Sequence, residues 1–272
     1  MRELTQFTVS SRAEGYWRVT FDHPPANLMN ATTAEELRQL VEAVEAEDDL
    51  RVVVFDSAHP DFFFSRYDFA EGGLPATPGP TGLPPFLDMT TRLAAAPVVT
   101  IAAVRGRTRG GGNEFALACD LRFASREKAV FGQPEIGSGL VPGGGGIERL
   151  AMLVGRGRAL EVVLGGDDFD AVTAERYGWV NRAIPDADLD GFVDTFARRV
   201  ASFDRVALAA AKELVGRHTT PAPGDLLESQ RTSIRLTISP TFRERLGFLR
   251  RRSAAVGADF DLRMGHYLGP DR

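Results

Sequence analysis

An α/β fold, a sheet-containing core followed by a helical extension, is predicted by three features of the sequence. Apolar runs of strand length alternate with segments of helical period up to Gly146. Two of those runs, 51–55 and 97–104, are continuously apolar or nearly so, as expected of strands buried on both faces of a sheet with crossover helices. Beyond Gly146 the pattern is chiefly helical.

Trp17, Val19 and Phe21 alternate with polar neighbours and predict a half-buried first strand, which His23-Pro24-Pro25 ends. Thr33 and Glu36 stand at capping-box spacing, and Leu37, Leu40, Val41 and Val44 recur at helical intervals, so a helix follows. Residues 51–55 make the next strand, 86–95 a helix and 97–104 another strand. Residues 72–85 combine glycines and prolines with little periodicity and read as a loop, either an ordinary surface insertion or a lid over a ligand. A further strand is expected at 121–124. Helices are expected to start near Gly146 and to run near 156–164, 189–203, 207–215 and 241–252.

A chain of 272 residues can bury a substantial core. Its net charge of -5, with 25% charged and 43% apolar residues, argues against disorder and against a dominant basic surface, so no nucleic-acid partner is expected. There is no apolar stretch of membrane-spanning length, and the polar N-terminus lacks the pattern of a secretory signal; a cytoplasmic protein without a membrane span is expected. Cys119, among apolar neighbours, reads as a buried small side chain. The histidines at 23, 59, 218 and 266 show no metal-binding spacing, and no metal is expected. Arg250-Arg251-Arg252 reads as a solvated helix face or, widened by Arg243 and Arg245, as a patch for an acidic cofactor.

The chemistry concentrates in two segments, Gly110-Gly111-Gly112-Asn113-Glu114 and Phe131-Gly132-Gln133-Pro134-Glu135. The glycines leave the backbone open to close approach, and the first amides of the helix they start have no partner within it. Those amides can face an anion or a developing oxyanion, with two carboxylates nearby in sequence. On the residues alone, tight turns with solvated or capping glutamates explain the same pattern.

At these segments the chain resembles the enoyl-CoA hydratase/isomerase, or crotonase, family. The resemblance begins at His23-Pro24-Pro25-Ala26-Asn27 and Asn30, includes the loop to Asp68, and is strongest from Ala103 through Leu150. It continues through Pro142-Gly143-Gly144-Gly145-Gly146 and Ala174-Glu175-Arg176-Tyr177-Gly178-Trp179-Val180, covers about residues 5 to 215, and weakens toward the C-terminus.

The resemblance implies a crotonase-like repeated ββα spiral core with a C-terminal helical region. It divides the chain into residues 1–200, the core with the acyl-CoA site, and 201–272, helices involved in pocket closure and oligomerisation. It implies enoyl-CoA hydration, a homotrimer or homohexamer, and no cofactor beyond the coenzyme A carried by the substrate. Glu114 and Glu135 would be the catalytic carboxylates, with the amides of Ser65 and Gly111 as the oxyanion hole. Ala26, Arg66, Tyr67, Asp68, Gly110, Pro134 and Gly143 would contact substrate, Ala26 on the adenine side.

The family has alanine or serine, glycine, alanine and aspartate where this chain has Ser65-Arg66-Tyr67-Asp68. Arg66, a long cation in place of glycine, is expected to point away, to meet a CoA phosphate or carboxylated acyl group, or to reshape the loop. Tyr67 and Phe69 either narrow the acyl pocket or pack on the core, Phe62, Phe63 and Phe64 anchor the loop, and Asp68 fixes the turn. His23 and Asn27 orient loops. Alternatives to hydration within the family are double-bond isomerisation, decarboxylation, dehalogenation and carbon–carbon bond hydrolysis. Outside it stand non-enzymatic acyl-CoA binding and RNA binding, the latter disfavoured by the acidic composition.

Overall fold

The computed structural model describes residues 4–68 and 77–269; Phe69 and residues 72–76 of the expected loop lie outside them. In chain order the elements begin with β1 (Phe7–Ala13), β2 (Tyr16–Phe21), α1 (Ala31–Ala46), β3 (Val52–Ser57), α2 (Pro85–Ala95), β4 (Val99–Val104), β5 (Arg107–Arg109) and α3 (Gly111–Ala118). They continue with β6 (Leu121–Ser125), β7 (Val130–Gly132), a 3-10 turn (Glu135–Ser138), α4 (Gly146–Val154), α5 (Arg156–Gly165), β8 (Asp168–Asp170), α6 (Ala171–Tyr177) and β9 (Arg182–Ile184). Among the described residues six helices follow: α7 (Leu189–Ala201), α8 (Arg205–Thr219), α9 (Pro223–Thr237), α10 (Pro240–Val256), α11 (Asp259–Leu262) and α12 (Met264–Leu268).

The larger sheet has the order β1-β2-β3-β4-β6-β9, with β1 antiparallel to β2 and the rest parallel. A smaller sheet, β5-β7-β8, stands beside it. The chain climbs from one sheet to the other and returns through a helix, so each strand–strand–helix turn stacks on the last. The continuous apolar runs behave as expected: Val53 and Phe55 of β3 face one core with α1 and α3, while Val52 and Val54 face a second core completed by α7 through Leu189, Val193 and Ala197. Burying each such aliphatic side chain contributes about 1.5–3 kcal/mol.

Capping of α1 differs from the spacing read in sequence. Asn30 is the cap, and its side chain and that of Thr33 close a reciprocal box. Glu36 reaches outward from the helix instead, accepting from the amides of Thr5 and Gln6 at 2.7 and 2.9 Å. A helix thus ties the chain entering β1, which the sequence pattern had not marked.

The turn into α3 fixes the site. Gly110 has φ 51° and ψ -125°, a conformation that disfavours any side chain, and its amide donates to Gly132 O at 3.1 Å. Gly112 lies so close to the preceding loop that a Cβ would fall 2.0 Å from Phe64 O. Below that loop, Phe64 stacks on both Phe21 and Phe115, anchoring it to the core.

Candidate active site

A cavity of about 520 Å³ opens over the start of α3. Its wall includes Arg66, Tyr67, Asp68, Gly110, Gly111 and Glu114, together with Pro134, Glu135 and Gly143. Helices α9, α10, α11 and α12 add Ser233, Ile234, Leu249, Phe260 and Met264. Sequence reading missed α9, a helix of 15 residues, and the short α11 and α12, of 4 and 5 residues.

Glu114 projects from the first turn of α3. Its Oε1 accepts from the amides of Gly144 and Gly146 at 2.7 and 3.1 Å, so the glycine run after Pro142 clamps the carboxylate. Burial nevertheless pushes its pKa up to about 7 against the opposing pull of those amides and the Arg149 guanidinium. Glu135 begins the 3-10 turn and is raised well above the ordinary value by burial and then by the charge of Glu114. Two carboxyl groups with coupled, elevated proton affinities therefore share one largely apolar cavity, an arrangement that holds a proton near neutral pH.

One expected oxyanion-hole amide is not met as predicted. Ser65 is buried, stands outside the cavity wall, and its amide already donates to Asn27 O at 3.0 Å, so it does not offer that amide to a ligand. Ala26 is buried and lies outside this wall. Tyr67 faces the cavity instead. Arg66 O accepts from Met29 N at 2.9 Å, and in a trans peptide the next N–H points the other way, so the Tyr67 amide turns from Met29 toward Gly111. Its nitrogen lies 3.9 Å from where a Cβ on Gly111 would stand.

Arg66 neither leaves the site nor stands free: Nη2 meets Asp261 Oδ1 at 3.0 Å and Nη1 donates to Tyr67 O at 3.2 Å. Asn27, at φ 47°, accepts from His23 N and donates to Phe63 O at 3.0 Å; His23 Nδ1 lies 2.7 Å from Leu28 O. Cys119 is buried and its thiol is pushed up to about 12. Arg250 borders the cavity and is exposed, whereas Arg252 covers the rings of Phe248 and Tyr267.

The family model described as enoyl-CoA hydratase/isomerase matches residues 11–248. The chain belongs to the enoyl-CoA hydratase/isomerase family. A probable enoyl-CoA hydratase from Rhizobium meliloti (strain 1021) is 37% identical over 201 residues, 73% of this chain and 77% of that protein. A probable mitochondrial enoyl-CoA hydratase from Dictyostelium discoideum is 45% identical over 115 residues, 42% of this chain and 41% of its own length. Among solved structures, one from Streptomyces avermitilis, provisionally described as an enoyl-CoA hydratase, is 39% identical with a TM-score of 0.89 and covers 100% of this chain and 99% of its own. The protein is an enzyme of this family with the crotonase fold, and an acyl-CoA substrate fits it. No helix among the described residues is long and apolar enough to cross a membrane.

Proposed function

We propose that the protein adds water across the 2,3 double bond of a trans-2-enoyl-CoA. The observation that carries this reading is the convergence of Glu114 and Glu135 on one cavity beside the amides of Gly111 and Tyr67.

In this reading the thioester oxygen lies between those two amides. Glu114, ionised, takes a proton from water as the water oxygen bonds to the β carbon. The double-bond electron pair moves toward the thioester, and negative charge develops on its oxygen, where the amides stabilise it. Glu135, protonated, then delivers its proton to the α carbon and the thioester carbonyl re-forms. Glu114 ends with one proton more and Glu135 with one fewer, and exchange between them resets the pair. This division is supported by the Gly144 and Gly146 amides, which favour ionised Glu114, and by the charge of Glu114, which favours protonated Glu135.

The same reading carries a homotrimer or a dimer of trimers, supported by Met152, Leu153, Leu160 and Leu164, which α4 and α5 leave exposed. Sedimentation of the wild type and of Leu164→Glu tests it.

Hydration is tested with short trans-2-enoyl-CoA thioesters and product analysis that separates the 3-hydroxyacyl product from a shifted double bond. Glu114→Gln and Glu135→Gln are each expected to lower kcat by about 10²–10⁴. Hydration that survives both substitutions unchanged would sink the proposal, and a shifted double bond as main product would assign isomerisation instead.

A further inference from the structure

Beneath Glu135 runs a chain of side-chain hydrogen bonds with no part in the reaction described above. Trp179 Nε1 donates to Asn113 Oδ1 at 3.1 Å, Asn113 Nδ2 donates to Gln133 Oε1, and Gln133 Nε2 donates to Glu135 Oε1 at 3.0 Å. Trp179, Asn113 and Gln133 are fully buried. They come from the turn after α6, from α3 and from the segment after β7, so the chain joins three separate parts of the fold to one carboxyl oxygen.

Its direction follows from chemistry. An indole N–H can only donate, which obliges Asn113 to present its oxygen to Trp179 and its amino group to Gln133. Gln133 must then accept with its oxygen and donate with its nitrogen. A reversed Asn113 would set donor against donor at Trp179 and acceptor against acceptor at Gln133, at the cost of two unmade bonds, and a reversed Gln133 would set its amino group against that of Asn113. Glu135 Oε1 is thereby held as an acceptor. The other oxygen, Oε2, is buried and has no partner among the described residues.

We propose that Trp179, Asn113 and Gln133 act as positioning residues that bar the proton of Glu135 from Oε1 and hold it on Oε2, the oxygen that delivers it to substrate. The assignment deepens the hydration reading and rests on it for the role of Glu135. Without the directing N–H, both amides can flip, Gln133 can accept from a protonated Oε1, and the proton divides between a delivering and an idle position.

Other titratable groups lie near Glu135 as well. Lining the same cavity are Glu114 on α3, whose charge raises Glu135, Arg66, Tyr67 and Asp68 on the loop before α2, and Arg250 on α10, while Arg245 of α10 donates to Gly137 O of the 3-10 turn. The ionisable side chains of α5, which also packs on the 3-10 turn, are exposed to solvent. The indole N–H reaches Glu135 through Asn113 and Gln133, so its removal acts through the relay.

Two measurements test the proposal. In the wild type, the Trp179 indole N–H resonance, distinguished from that of Trp17 by a Trp17→Phe variant, is expected to shift with pH at the midpoint of the alkaline limb of kcat. A resonance that stays fixed at every pH at which the protein is folded overturns the relay. In Trp179→Phe, which keeps the ring packing on Phe131 and Phe169, the alkaline limb is expected to move to higher pH, because a flipped Gln133 favours protonated Glu135. Its kcat is expected to fall about tenfold, one pKa unit's worth of misplaced proton, with KM nearly unchanged. An unmoved limb and unchanged kcat in a folded variant also overturn the proposal. The resonance measurement needs no turnover: a titrating N–H in a protein that fails to hydrate enoyl-CoA supports the relay while sinking the hydratase reading.

Discussion

Arg66 and Asp261 form an ion pair at 3.0 Å that ties the loop carrying Tyr67 to α11, in the wall over the cavity. The same arginine donates to Tyr67 O, and the carbonyl of Asp261 accepts from Arg109 Nη1 at 2.7 Å. Loop, α11 and β5 are therefore fastened at one point, with Phe260 of α11 beside it in the wall. Both partners are partly exposed, so the pair contributes about 1 kcal/mol. Asp261→Ala is expected to lower Tm by about 2–4 °C and to raise KM more than it lowers kcat. Arg66→Gly is expected to act in the same direction, and the double variant to cost less than the sum, because the partners are coupled. Strictly additive shifts in Tm and KM would show that the pair fastens nothing.

Gly111 and Gly112 separate binding from folding. A methyl group on Gly111 meets only Met29 Sδ at 3.7 Å and Tyr67 N at 3.9 Å, both ordinary contacts, yet it would stand between the two amides proposed to hold the thioester oxygen. Gly111→Ala is expected to keep a near-native Tm and to lose kcat by about 10²–10³. On Gly112 the methyl would lie 2.0 Å from Phe64 O and 2.1 Å from Ser65 O, backbone atoms that cannot rotate aside. Gly112→Ala is expected to lose about 3 kcal/mol or more of stability. Thermal melts and kinetics on the two variants check the contrast, and equal melts with equal activity would contradict it.

In the larger sheet β3 and β4 were legible because burial on both faces writes itself as runs such as Val52-Val53-Val54-Phe55, and β2 and β6 were read as well, but β1 and the three-residue β9 were not. β5, β7 and β8 have three residues each, too short for any period to show, and they were missed. Glu114 and Glu135 could be picked out because side-chain chemistry is visible in sequence. Which amide faces the cavity is not, since every non-proline residue carries one; Ser65 and Tyr67 are told apart only by the pairing of Asn27 and Met29 with the loop. The relay under Glu135 escaped for another reason: Asn113, Gln133 and Trp179 lie far apart in sequence and meet only through the stacking of strand–strand–helix turns.

Stability should fall with rising pH through the Glu114 transition. Burial raises this group from 4.5 to about 7 in the folded chain, so the protonated form is the one the fold favours. Below pH 4.5 the group is protonated in both states and its contribution is complete. As pH rises toward 7 the unfolded chain ionises first, and that contribution is lost, on the order of 3 kcal/mol at most. Urea unfolding of the wild type against Glu114→Gln should show the wild-type stability declining relative to the variant over this window. Parallel profiles would mean that Glu114 carries no such shift.

Arg149 is buried against the clamp that holds Glu114. Its Nη1 donates to Gly144 O at 3.1 Å and its Nη2 to Thr90 Oγ1 at 3.3 Å, and its positive charge opposes the upward push of burial on Glu114. Arg149→Met keeps much of the volume and removes that charge, so the proton affinity of Glu114 should climb further. Glu114 acts as a base in the proposed reaction and must be ionised, so the acid limb of kcat/KM should move to higher pH. Activity should therefore fall more steeply below the wild-type limb than above it, by about tenfold for each unit of movement. The Gly144 and Gly146 amides remain on the carboxylate in the variant, so a uniform loss at every pH would instead mean that the clamp itself had come apart.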